Sequence, residues 1–159
     1  MDLKKLFFPC MLILFSFAGC SKHLKPDGFP PLYPASVRII QDGKPLEGAQ
    51  VCLYRKDDIE QKWGIIGETD SNGKAVLVTH GKFYGAPEGE YLVLVTKQED
   101  VPVSHRGDGS AVDSFTLVEE EYGDKEKTSL QFRVQKRGKN YEEFDVGKPV
   151  RTFLGRSVA

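Results

Sequence analysis

Cysteine is scarce in this chain of 159 residues, with only Cys10, Cys20 and Cys52, and no pair at a metal-ligating or redox spacing. Histidine is equally rare: His23, His80 and His105 share no ligand spacing. There is no HExxH, CxxC, GxSxG or phosphate-loop pattern to assemble a known hydrolytic or nucleotide site. An excess of one charge is missing too, since 22 Lys and Arg face 23 Asp and Glu. Near neutrality excludes the basic footprint of a nucleic-acid binder and the acidic composition of a disordered chain. No apolar run reaches the about 20 residues that a spanning helix needs.

What is present begins at the N-terminus. Lys4 and Lys5 precede an apolar run from Leu6 to Ala18, interrupted only by Pro9, Cys10 and Ser16 and closed by Gly19. A positive n-region, a short apolar segment and small residues at the cut are the parts of a secretory signal. The end of the segment, Phe17-Ala18-Gly19-Cys20, resembles a lipobox. Residues 1–19 are therefore expected to be removed and Cys20 to carry the lipid. About 0.8 kcal/mol per buried CH₂ lets two or three acyl chains anchor a protein without a spanning helix. Removal of 1–19 takes Asp2, Lys4, Lys5 and Cys10 with it, leaving 20 basic and 22 acidic side chains and Cys52 as the single free thiol. No intrachain disulfide is then expected, and Cys52, between Val51 and Leu53, reads as a packed core or face thiol.

Residues 20–35 carry Pro26, Pro30, Pro31 and Pro34 among charges and read as a flexible to semi-rigid tether. From Val37 onward, short β-type runs alternate with turn chemistry, and no helical period appears. Strands are expected over 37–41, 49–55, 63–69, 74–79, 90–97, 129–135 and 141–146. Asp42-Gly43 and Asp70-Ser71-Asn72-Gly73 supply the turns. Seven short strands predict an all-β, Ig-like β-sandwich over 36–147. Within it, 98–127 is expected to be a long loop, with 115–118 and Tyr122 packing back as an extra edge. The tail 148–159 is expected to be loose.

The stretches DGKPLEGAQVCLYR, GETDSNGKAVL and APEGEYLVLVTK, in that order, resemble the carboxypeptidase regulatory-like family, also called transthyretin-like or prealbumin-like. The resemblance covers Tyr33 to about Gly147. It implies a seven-stranded Greek-key sandwich that serves as an accessory, folding or interaction module and has no catalytic centre. The transthyretin-related hydrolases end in a Tyr-Arg-Gly-Ser signature, whereas this chain ends Phe153-Leu154-Gly155-Arg156-Ser157. The isopeptide-forming sandwiches need a lysine on the first strand, where this chain has Arg38.

The remaining chemistry is modest. Asp57 with Asp58, Glu119 to Glu121, and Glu142 with Glu143 pair carboxylates, but neighbours on strands and loops point apart into solvent. Asp70 and Asn72 belong to a hairpin turn, not to a calcium loop. Arg106-Gly107-Asp108 spells an adhesion tripeptide on a polar stretch, a chance match in this reading. Binding, if it occurs, is expected at the aromatics Trp63, Phe83, Tyr84, Phe115 and Tyr122. No catalytic residue, metal or cofactor is expected. The expected protein is a monomeric, lipid-anchored, non-enzymatic module of the bacterial envelope, delivered to the outer membrane. It would meet an envelope protein or carbohydrate and no nucleic acid. A purely structural assembly lipoprotein is the second reading, and a hydrolase of the transthyretin-related type the third.

Overall fold

The structure, a computed structural model, describes residues 25–57, 61–104 and 110–158. Cys20 and the signal expected before it, His23, His105 and Arg106-Gly107-Asp108 lie outside the described residues. Within them no helix is long and apolar enough to cross a membrane.

Among the described residues the regular structure is nearly all β-strand. The first strands are β1 (Ala35–Gln41), β2 (Lys44–Pro45), β3 (Gln50–Arg55) and β4 (Ile65–Glu68). Three short ones follow: β5 (Lys74–Val76), β6 (Val78–Thr79) and β7 (Phe83–Tyr84). The eight-residue β8 (Gly89–Thr96) leads into β9 (Gln98–Ser104) and β10 (Ser110–Thr116). A single helical turn, α1 (Glu120–Gly123), precedes β11 (Gln131–Val134), β12 (Asn140–Asp145) and β13 (Thr152–Val158).

Two sheets enclose the core. One runs β12-β1-β2 with β5 also on β1, and its β1–β12 pair is parallel. The other runs β11-β8-β3-β4-β6-β7, antiparallel throughout. β1, β3, β8 and β11 turn alternate residues inward, as the pleat requires. Val37 and Ile39 of β1, Val51 and Leu53 of β3, and Tyr91, Val93 and Val95 of β8 are all buried in one cluster with Phe132, Val134 and Phe144. Asp42 and Gly43 both take positive φ, 51° and 72°, in the two-residue turn from β1 to β2, the mirror-image geometry that matches strand twist. At Gly73, φ is 75° and an added Cβ would collide with the carbonyl oxygen of Ile39. Asp70 completes that turn, its Oδ1 accepting the N–H groups of Asn72 and Lys74 at 2.9 Å each.

The strand positions read from the sequence all carry strand, but the architecture is richer than seven strands. The run expected over 74–79 divides at Leu77, with β5 pairing β1 in one sheet and β6 pairing β4 in the other. The segment 98–127, expected as a long loop, instead forms β9 and β10. The tail expected to be loose contributes β13, which pairs with β10 from Ala111↔Val158 to Thr116↔Thr152. The outcome is a third, three-stranded antiparallel sheet, β13-β10-β9. Its base is tied to the sandwich by the buried Val118 and by the Gln41 amide, which donates to the Leu117 carbonyl at 3.0 Å. The tether is shorter than expected as well. Tyr33 and Ala86 exchange backbone hydrogen bonds at 2.9 and 3.0 Å, so the chain already lies on the domain before β1.

Candidate functional site

The strand registers give the sandwich two ends. Ala35, Arg55, Ile65, Thr79, Gly89, Val134 and Asn140 mark the end at which the chain from residue 25 arrives, here the proximal end. Gln41, Gln50, Glu68 and Thr96 mark the distal end, from which the three-stranded sheet extends.

An aromatic cluster forms the proximal end. A turn closed by Phe29 N–H donating to the Pro26 carbonyl at 3.1 Å delivers the Phe29 ring to Trp63 and Phe83, with centroids 5.3 and 4.7 Å away. The His80 ring meets Trp63 edge-on at 4.8 Å. Gln61 holds the loop that presents Trp63, its amide donating to the carbonyls of Leu53 and Trp63 and its oxygen accepting the Arg55 N–H. The buried Thr79 hydroxyl donates to the Gly85 carbonyl at 2.7 Å and closes the hairpin that presents Phe83. Two ammonium groups lie over this surface, Lys25 at 5.7 Å from the Phe29 centroid and Lys62 at 5.0 Å from that of Trp63.

A groove of about 530 Å³ crosses the outer face of the six-stranded sheet toward the distal end. Tyr54, Leu94 and Leu154 supply its apolar surface, and Glu120, Asp124, Lys125 and Lys127 its charged rim. The Asp124 carboxyl is held below the usual range, first by the Glu126 N–H it accepts and then by Lys127. Beyond the groove, Phe115 packs on Phe153 at 5.6 Å, with the Arg151 guanidinium 3.6 Å from the Phe115 centroid.

The five aromatics singled out from the sequence therefore occupy separate places. Trp63 and Phe83 come together. Tyr84 is 78 % exposed and lines a different hollow with Val76 and Lys139. Phe115 belongs to the three-stranded sheet, and Tyr122 packs against the core. Sequence reasoning missed Phe29 and Leu154, one placed in a tether and the other in a loose tail. It assigned His80 no partner. Of the paired carboxylates, Asp57 accepts from both Arg55 Nε and Nη2, which lowers its pKa, Glu143 pairs with Arg38 at 2.7 Å, and Asp58 lies outside the described residues. Among the described residues, no group of three or more His, Cys, Asp and Glu is placed to hold a metal ion.

No family model, curated protein or solved structure matches the chain. The functional reading therefore rests on the chemistry of these two ends.

Cys52 stands half-buried on the outer face, opposite Ile66 and Leu94, and burial raises its thiol pKa. A raised value means that the fold favours the protonated thiol. Its stabilising contribution is full below the unfolded pKa and is lost as pH rises through the folded one. Alkylation of Cys52 by iodoacetamide, followed on its proteolytic peptide, is expected to be slow at neutral pH and to accelerate on unfolding in urea. Equal rates in the folded and unfolded protein would contradict this environment.

Proposed function

We propose that this protein is a lipid-anchored component of the bacterial cell envelope, facing the periplasm or exterior from the outer membrane. In this reading its sandwich is a non-catalytic accessory module that engages a protein or carbohydrate partner. The fold assigned to it is the seven-stranded Greek-key core of the carboxypeptidase regulatory-like type, with the three-stranded sheet as an addition. Support for that finer assignment comes from Tyr91, whose hydroxyl donates to the Pro87 carbonyl four residues upstream at 2.8 Å. Such a tyrosine corner accompanies Greek-key sandwiches.

The observation that carries the binding reading is the groove, where the exposed Tyr54 and Leu154 and the half-buried Leu94 meet converging polar and charged groups, a combination that recognition sites use. A photo-crosslinking residue at Leu154 is expected to give discrete adducts in intact cells, and Leu94→Asp is expected to abolish them. The same probe at Glu142, on the other sheet, is expected to give none. Equal labelling from both positions, or adducts indifferent to Leu94→Asp, would refute the groove as the binding surface.

The assembly reading is favoured by one feature of its own. β13 is a seven-residue outer strand of the three-stranded sheet, and an edge of that length is a template for strand addition. β9, at the opposite edge, is blunted by Pro102 and by the acidic Glu99 and Asp100.

A further inference from the structure

The proximal end lies close to wherever Cys20 is held. Four residues, Ser21 to Leu24, separate Cys20 from Lys25. Five Cα steps of at most about 3.6 Å each reach no farther than about 18 Å. The chain then turns at Pro26–Phe29 and is fixed to the domain by Phe29 against Trp63 and Phe83. With acyl chains on Cys20 in the hydrocarbon, about 5–8 Å of headgroup region lies on that side of the bilayer. The tether is therefore too short to carry the domain far beyond that layer.

The surface presented there has the chemistry of a bilayer interface. Trp63, Phe29 and Phe83 are half-buried and keep part of their surface open to solvent. Aromatic rings of this kind concentrate at headgroup level. Lys25 and Lys62 lie over the rings, and a lysine in that position keeps its stem on apolar surface and its ammonium free for phosphate. Charge agrees. The stretches 25–29, 55–64, 80–90 and 133–140 carry nine basic and six acidic side chains, even with Asp58 and Glu60 counted, in a mature chain where acids outnumber bases. Anionic headgroups attract such an excess.

We propose that the proximal end docks on the anionic headgroup surface of the membrane that holds the anchor. Phe29, Trp63 and Phe83 enter the interface, and Lys25 and Lys62 meet lipid phosphates. The inference rests on lipidation at Cys20. It fixes the orientation of the domain: β8 runs from proximal to distal end, and the steps along its eight residues, at about 3.4 Å each, hold the distal end up to about 24 Å farther from the bilayer.

Trp63 is the single tryptophan of the chain, so its emission reports this surface. The full-length protein is purified from a Gram-negative host, its acyl mass is measured, and it is reconstituted into phosphatidylethanolamine vesicles with a minority of phosphatidylglycerol. The lipids carry bromine near the top of the acyl chains. Trp63 fluorescence is expected to fall at least about twofold, as for a group seated in the headgroup and upper-chain boundary. Lys25→Glu with Lys62→Glu is expected to cut that quenching by about half or more, with an unchanged far-UV spectrum. A Trp63→Phe, Lys44→Trp reporter, with its indole at the distal end, is expected to remain unquenched. If the protein carries its acyl mass but Trp63 is quenched no more than the indole at position 44, docking is wrong and the anchor stands. If no acyl mass is found, the anchor reading fails and the docking proposal fails with it.

Discussion

Substitution of Cys20 by alanine is expected to abolish acylation completely, giving an all-or-none change in intact mass. The thiol is the only atom at that position able to accept diacylglycerol, and no neighbouring residue from Phe17 to Lys22 substitutes for it. The energetic consequence is large, because each buried CH₂ contributes about 0.8 kcal/mol. A single myristoyl chain gives only reversible binding, on the order of 10⁴ M⁻¹, whereas two or more chains hold a protein stably. In the docking proposed above, the proximal aromatic and lysine surface would not replace such chains; it would orient a domain already tethered through Cys20. Mass is the primary readout, since an unprocessed variant retains the apolar run 6–18 and can sediment for that reason alone. The expected wild type is cleaved before Cys20, carries acyl mass and sediments with membranes. The expected Cys20→Ala protein has no acyl mass. A wild type that is soluble and unacylated would overturn the anchor and leave a freely secreted module.

The sequence revealed those features of the fold that are local. Val37 with Ile39, Val51 with Leu53, and Tyr91 with Val93 and Val95 alternate within a few residues, and period-two burial follows directly. Asp42-Gly43 and Asn72-Gly73 mark their turns for the same reason. The division of the 74–79 run does not show in its pattern, because Leu77 changes sheets through partners far away: its N–H donates to Ala35 and its carbonyl accepts from Gly85. The third sheet was hidden more deeply. Glu99, Asp100 and Pro102 give β9 the composition of a loop, and it becomes a strand because β10 returns beside it. β13, arriving some fifty residues later, adds the Phe153–Phe115 and Arg151–Glu99 contacts. Phe29 is a similar case. Its prolines announce an extended tether, while its partners Trp63 and Phe83 are more than thirty residues away. The proximal surface thus depends on contacts that no local pattern encodes, although Trp63 and Phe83 had each been singled out separately.

Tyr91 is the position where the fold is expected to be most sensitive. Its side chain is fully buried, beneath the Arg55 guanidinium at 5.9 Å from the ring centroid, and its hydroxyl reaches the Pro87 carbonyl. That hydrogen bond closes a corner at the proximal end. Two substitutions separate the ring from the hydrogen bond. Tyr91→Phe removes one neutral hydrogen bond and is expected to cost about 1 kcal/mol. Tyr91→Ala empties a large core site and is expected to cost about 3–5 kcal/mol, a major share of the roughly 5–15 kcal/mol available to a domain. Urea titration is the check, with the midpoint shifting at constant slope. If phenylalanine costs as much as alanine, the corner hydrogen bond dominates and ring burial is secondary. If alanine costs under about 1 kcal/mol, the ring is not in the core. Alkaline pH supplies an independent reading. Burial raises the Tyr91 phenol pKa, and nearby Arg55 only partly offsets that. The stability from the protonated hydroxyl is therefore complete below the ordinary tyrosine range and lost as pH climbs through the folded value. Wild type is expected to lose stability faster than Tyr91→Phe on that limb, narrowing the gap between them. A gap that stays constant with pH would show that the phenol does not titrate differently in the folded and unfolded chains.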